Sequence, residues 1–139
     1  MAKKARKPSE FTDSWENLLK VLIPYVRNTV SKTMPAGANK WFKGLLDDIG
    51  NDLLSDRALA DVETTVTSAR LTDDDKKLVD YLTREMHMWV AILAGSRDGN
   101  RRSAIRAGKT VKDSIEKLLE LPKWLKDRLE ILNELLSLV

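Results

Sequence analysis

Hydrophobic positions recur at helical spacing along nearly the whole chain. Trp15, Leu18, Leu19, Leu22, Val26 and Val30 form a first stripe at i, i+3, i+4 and i+7, with Asp13 or Ser14 placed to cap the helix that carries it. Pro24 lies inside this stripe. It removes a backbone donor and crowds the preceding turn, which predicts a kink or a restart. Met34-Pro35-Ala36-Gly37 ends the element. Asn39 can cap a second stripe of Trp41, Phe42, Leu45, Leu46, Ile49, Leu53 and Leu54. Gly50-Asn51 and Ser55-Asp56 interrupt it, and it resumes at Leu59, Val62, Val66 and Ala69. One long bent helix and two short ones both satisfy residues 39–69.

Thr72 followed by Asp73, Asp74 and Asp75 marks the next start, because a hydroxyl cap and first-turn acids suit the positive end of a helix dipole. Leu78, Leu82, Met86, Trp89 and Leu93 follow as the cleanest stripe, closed by Ala94-Gly95. A fourth core helix is predicted from near Ser103, with Ile105, Val111, Ile115, Leu118 and Leu119 inward. Pro122 suits the first turn of a last helix. That helix carries Leu125, Leu129, Leu132, Leu135, Leu136 and Val139, and a second stripe of Trp124, Ile131 and Leu138 at seven-residue spacing. So wide an apolar surface has to be buried on two sides. The pattern predicts an all-α protein, an up-and-down four-helix bundle with an additional C-terminal helix. Residues 1–10 are expected to form a flexible basic arm and residues 11–139 a single domain.

Composition supports a folded chain: 42% of residues are apolar and 32% charged, too apolar for disorder. There is no cysteine, hence no disulfide or thiolate site, as suits a reducing cytoplasm. No apolar run reaches the roughly 18 to 20 residues of a membrane span. The net charge is only +3 but unevenly placed. Lys3, Lys4, Arg6 and Lys7 contribute +4, and Ser96–Lys112 contributes +5 through Arg97, Arg101, Arg102, Arg106, Lys109 and Lys112 against Asp98, so the remainder carries −6. At about 100° per residue, Arg102, Arg106 and Lys109 share one helix face opposite Val111, Ile115 and Leu118. Such a stripe can hold phosphates, or it can simply be a solvated surface.

Other chemistry is sparse. Gly108-Lys109-Thr110 echoes the end of a phosphate-binding loop, but Ser103 stands where the first glycine belongs and no strand precedes it. His87 is the chain's one histidine and has no partner set for a metal. Asp73–Asp75 is explained by the helix start. No catalytic constellation, metal site or cofactor is expected.

Leu22-Ile23-Pro24-Tyr25, Met34-Pro35, Met88-Trp89-Val90-Ala91-Ile92-Leu93-Ala94-Gly95 and Trp124-Leu125 occur in the order of four features of a known family. In these stretches, from about Trp15 to Lys126, the chain resembles the accessory variability proteins of diversity-generating retroelements, in the wider four-helix-bundle family. It departs from them in lacking a basic residue after the proline turn, in Pro122 before the tryptophan, and in a further helix running to Val139. The resemblance implies a barrel-like homo-oligomer, typically a pentamer, that binds a reverse transcriptase and its RNA or DNA.

The expected function is therefore a non-enzymatic oligomeric accessory protein. It would hold nucleic acid on Arg97, Arg101, Arg102, Arg106, Lys109, Lys112 and the arm residues Lys3, Lys4, Arg6 and Lys7, and assemble through Trp124, Leu125, Ile131, Leu132 and Leu138. The alternatives are a protein–protein adaptor docking through the apolar last helix, and the small helical subunit of an RNA-guided complex.

Overall fold

The first helix begins earlier than its apolar stripe. In a computed structural model, which describes residues 9–31, 34–95 and 101–137 (and only the backbone of 29–31, 101, 102 and 104), α1 runs Glu10–Ser31. Its cap is Ser9, whose Oγ accepts from the Thr12 amide at 3.3 Å. Neither Asp13 nor Ser14 serves. The start is tied to the rest of the chain by Glu63, whose Oε1 accepts from the Ser9 amide (3.0 Å), the Ser9 hydroxyl (2.8 Å) and the Thr12 hydroxyl (2.5 Å). Ser9 and Glu10 thus belong to the folded unit. Residues 1–8 of the expected arm lie outside the described residues. Pro24 neither ends nor restarts α1. It sits on the exposed side with Lys20, where water can reach the carbonyl that the missing N–H leaves open.

The segment at 39–69 is two helices, α2 (Ala36–Leu53) and α3 (Asp56–Ser68). Pro35 precedes α2 and its carbonyl accepts from the Asn39 amide at 2.8 Å, so Asn39 lies inside the helix it was expected to cap. Gly50 does not break α2. It is buried, and a Cβ there would meet Ile23 at 3.6 Å. The break falls at Ser55, whose Oγ accepts from the Ala58 amide (3.1 Å) and donates to the Asp52 carbonyl (2.8 Å). Helix α4 (Asp73–Gly95) opens on a reciprocal cap: Asp75 N–H to Thr72 Oγ1 at 3.1 Å, Thr72 N–H to Asp75 Oδ2 at 3.4 Å. Helices α5 (Arg101–Leu118) and α6 (Lys123–Leu136) complete the chain, with Pro122 leading α6 in. The protein is all-helical, with no strand among the described residues.

Helix α1 is the hub and packs against α2, α3, α4 and α5. Its inner face, from Phe11 and Trp15 to Ile23 and Val26, is buried throughout. Helix α6 is no appendage. It packs against both α2 and α5, and Leu125, Leu129, Leu132, Leu135 and Leu136 are all buried in the common core. Its wide apolar surface is covered on two sides within the chain, each leucine worth about 1.5–3 kcal/mol of burial. Arg128 adds a 2.8 Å ion pair to Asp52 of α2.

Candidate nucleic-acid interface

Helix α5 presents opposite chemistries on its two sides. Ile105, Val111, Ile115 and Leu119 are buried. Gly108 faces α1, where a Cβ would lie 3.4 Å from a Leu22 methyl and 3.8 Å from a Leu18 methyl. The phosphate-loop echo does not hold: Gly108-Lys109-Thr110 is mid-helix, and its glycine is against leucines.

The outer side carries Arg106, which is exposed, and Lys109, half-buried and bonded to Asp113 at 2.9 Å. Positions 102, 106 and 109 fall on one face of one continuous helix, as the spacing predicts. Helix α5 starts at Arg101, two residues before the expected start at Ser103, so Arg101 joins its first turn. Arg97 and the arm residues Lys3, Lys4, Arg6 and Lys7 lie outside the described residues, as do the side chains of Arg101 and Arg102.

Lys112 does not belong to this surface. It is 0% exposed. Its ammonium donates to Asp113 Oδ1 at 3.1 Å, to Glu116 Oε2 and, across to α6, to Asn133 Oδ1. Three acceptors satisfy the three donors of an ammonium. At about 100° per residue, position 112 falls between positions 105 and 119, inside the buried arc. Lys112 is a polar staple between α5 and α6, and its charge is neutralised by carboxylates rather than offered to a ligand.

The same cluster perturbs Asp113. Its partial burial alone would raise the carboxyl, but the Lys109 hydrogen bond and the Lys112 charge outweigh that and hold it below its ordinary 3.8. A carboxyl depressed on folding contributes stability that is complete above the unfolded value and is lost as pH falls through the folded one. Urea unfolding from about pH 5 down to about pH 2 should therefore show a steeper acid loss in the parent than in Asp113→Asn. Equal slopes would mean that Asp113 does not couple to folding.

The expected assembly residues are also placed differently. Leu125 and Leu132 are fully buried within the chain, and Ile131 is half-buried against the same core. The Trp124 ring lies under the Arg57 guanidinium (4.1 Å), and its Nε1 donates to Asp61 at 2.8 Å, so it pins α6 to α3. Leu138 lies outside the described residues. None of the four described residues leaves a broad apolar patch for a second copy.

Exposed apolar surface occurs elsewhere. Leu78, Tyr81, Met88 and Ile92 line an outer edge of α4, and Trp41 of α2 is 59% exposed. Leu78 was expected in the inner stripe with Leu82, Met86 and Leu93, which are buried. A sequence signal for the edge existed: positions 78, 81, 88 and 92 follow a heptad rhythm beside the inner stripe. His87 is exposed, with Nε2 3.6 Å from a Glu10 carboxylate oxygen. Among the described residues no group of three or more His, Cys, Asp or Glu could hold a metal, and no helix is long and apolar enough to cross a membrane. Comparison with protein-family models, with curated proteins and with solved structures finds no match to this chain.

Proposed function

We propose that the protein is a non-enzymatic helical scaffold that holds RNA or DNA on the outer face of α5, as a homo-oligomeric accessory to a reverse transcriptase. The observation that carries the nucleic-acid part is the first turn of α5. It contains Arg101 and Arg102 and no acid, against the direction a helix dipole favours. No acid occurs in α5 before Asp113, while Arg106 extends the basic face by one turn. A phosphate chain along this face would relieve the repulsion and use the arginines bidentately. The polymerase partner, and the pentameric count, rest on the resemblance of the apolar motifs. In this reading the helices run up and down, with α6 taken into the ring between α2 and α5.

The test is binding of labelled RNA and DNA of mixed sequence across a salt series. Weak sequence dependence and a linear fall of log affinity with log salt are expected. Salt-insensitive binding, or none at low salt, overturns the reading. A second reading is favoured by the outer edge of α4. Four large apolar side chains at heptad spacing on one helix mark a docking surface for a protein. Light scattering on the same samples separates the two uses of that edge. An oligomer dispersed by Tyr81→Glu/Met88→Glu places copies of the chain there, and a monomer leaves the adaptor reading.

A further inference from the structure

Lys112 carries a charge into the seam of α5 and α6, where an apolar side chain of similar length would pack without one. What the ammonium does there is hold two polar side chains next to each other. Glu116 of α5 gives it one carboxylate oxygen, Oε2, and Asn133 of α6 gives it Oδ1. Lysine has donors and no acceptor, so the Asn133 amide turns its oxygen toward Lys112 and its Nδ2 away. Neither Glu116 Oε1 nor Asn133 Nδ2 has a hydrogen-bond partner among the described residues. The result is an open acceptor and an open pair of donors, each fixed at its other end by the same buried cation.

Both side chains line an open cleft of about 400 Å³ between α5 and α6, to which the buried Leu121 adds apolar ground. Its charges balance. Lys123 is ion-paired with Asp127 at 3.2 Å, and Lys126 and Glu130, one turn apart on α6, contribute one charge of each sign. Glu116 is matched by Lys112, and Asp113, the other carboxylate on Lys112, is matched by Lys109. Glu120, the next acid along, lines a separate cleft toward α3. A phosphate or a carboxylate meets no excess of cations here, and an ammonium meets no excess of anions. A neutral ligand with a donor beside an acceptor fits, and the volume is that of a small-molecule site with a few placed polar groups.

We propose that this cleft binds a nucleobase by one edge: Glu116 Oε1 accepts from an amino or ring N–H, and Asn133 Nδ2 donates to the adjoining ring nitrogen or carbonyl oxygen. Asparagine and glutamate are suited to base edges because a base sets a donor beside an acceptor. Lys112 is fully buried and touches no ligand; it positions the two groups that do. The inference does not rest on the nucleic-acid reading of α5, since a free nucleoside presents the same edge as an unpaired base in a strand and needs no phosphate contact.

The test is isothermal titration calorimetry on the full chain with adenosine, cytidine and dimethyladenosine, in which both amino hydrogens of adenosine are replaced by methyl groups. Adenosine and cytidine should bind saturably. The dimethyl analogue keeps the ring and loses the amino donor, so it should bind about tenfold more weakly or worse. Glu116→Gln leaves Lys112 an acceptor and puts an amide NH2 where the open carboxylate oxygen stood. It should lower adenosine affinity by about the same factor in a chain that stays helical and folded. Lys112→Met changes a side chain outside the cleft lining and should weaken adenosine too, by releasing both groups. A merely structural Glu116 would not tell adenosine from its dimethyl analogue, and that comparison needs only the parent chain. Oligo-dA that displaces adenosine shows that a base in a strand enters the cleft, and oligo-dA that binds without displacing it assigns the cleft to free nucleosides. No saturable nucleoside binding, or equal affinity for adenosine and the dimethyl analogue, overturns the proposal and leaves the α5 reading standing. Glutamine that competes with adenosine at equal affinity overturns it in favour of a carboxamide site.

Discussion

Lys112→Ala should lower the unfolding free energy by about 3 kcal/mol, more than a hundredfold in the folding equilibrium. Three losses combine. The buried stem leaves a cavity between α5 and α6. Asp113 and Glu116 lose the cation that both face, and the Asn133 carbonyl oxygen loses its donor from across the helix pair. Lys112→Met separates these contributions. It keeps an unbranched stem of similar volume and removes only the charge, so about half of the loss should return. Lys112→Met/Asn133→Leu should recover more, because the half-buried Asn133 amide no longer faces an apolar stem without its donor. Urea unfolding of the three variants at neutral pH measures this. A loss below about 1 kcal/mol for Lys112→Ala would make the staple a bystander, within the range of an ordinary surface change. The same variants separate structure from function. With the ammonium buried, Lys112→Met should leave the salt slope of any nucleic-acid binding unchanged, whereas a lysine that neutralised a phosphate would, on removal, flatten it by about one unit.

Lys112 also shows what was legible in the sequence and what was not. Helix existence was readable almost everywhere, because a 3.6-residue rhythm of large apolar residues depends only on local geometry. Starts and stops were less so. Ser9 caps α1 because Glu63 reaches it from α3, a partner 54 positions away that no local pattern reveals. Thr72 was readable because its partner, Asp75, is local. The face of Lys112 was readable by register, but residue type argued the other way, since lysine is rarely fully buried unless paired. Its pairing depended on Asn133 of α6, and that depended on α6 lying against α5. The same step decided the apolar surface of α6. Its double stripe correctly required burial on two sides, and the sequence offered a second copy of the chain as one cover. The structure supplies both covers from α2 and α5. Leu78 and Trp41 were misplaced for the converse reason, since an apolar residue in a helical stripe reads as core until its neighbours are placed.

The surface of α5 changes the experiment that decides the proposed function. A triple reversal at 102, 106 and 109 follows from the helical spacing, but Lys109 is bonded to Asp113 one turn on. Glutamate at 109 would set two carboxylates at i and i+4 beside the Lys112 cluster, destabilising the helix locally by about 0.2–0.5 kcal/mol. Weaker binding in the triple variant would then mix two causes. Arg102→Glu/Arg106→Glu avoids this: it exchanges one like-charged i, i+4 pair for another, Arg106 is exposed and makes no ion pair in the described structure, and position 102 is in the first turn. An acid introduced at 102, in the first turn, also interacts favourably with the helix dipole, so the double variant should fold as well as the parent. Its binding to RNA and DNA should nevertheless fall by more than about tenfold near 0.1 M salt, and the log–log salt slope should flatten by about two units, one for each phosphate no longer neutralised. Lys109→Gln, which keeps hydrogen bonding toward Asp113, should cost less binding than either arginine, because its ammonium is already shared with a carboxylate. If the double variant keeps the parent's affinity and slope while its helicity and unfolding midpoint are intact, the α5 face is a solvated surface. The outer edge of α4 then becomes the leading functional surface of the molecule.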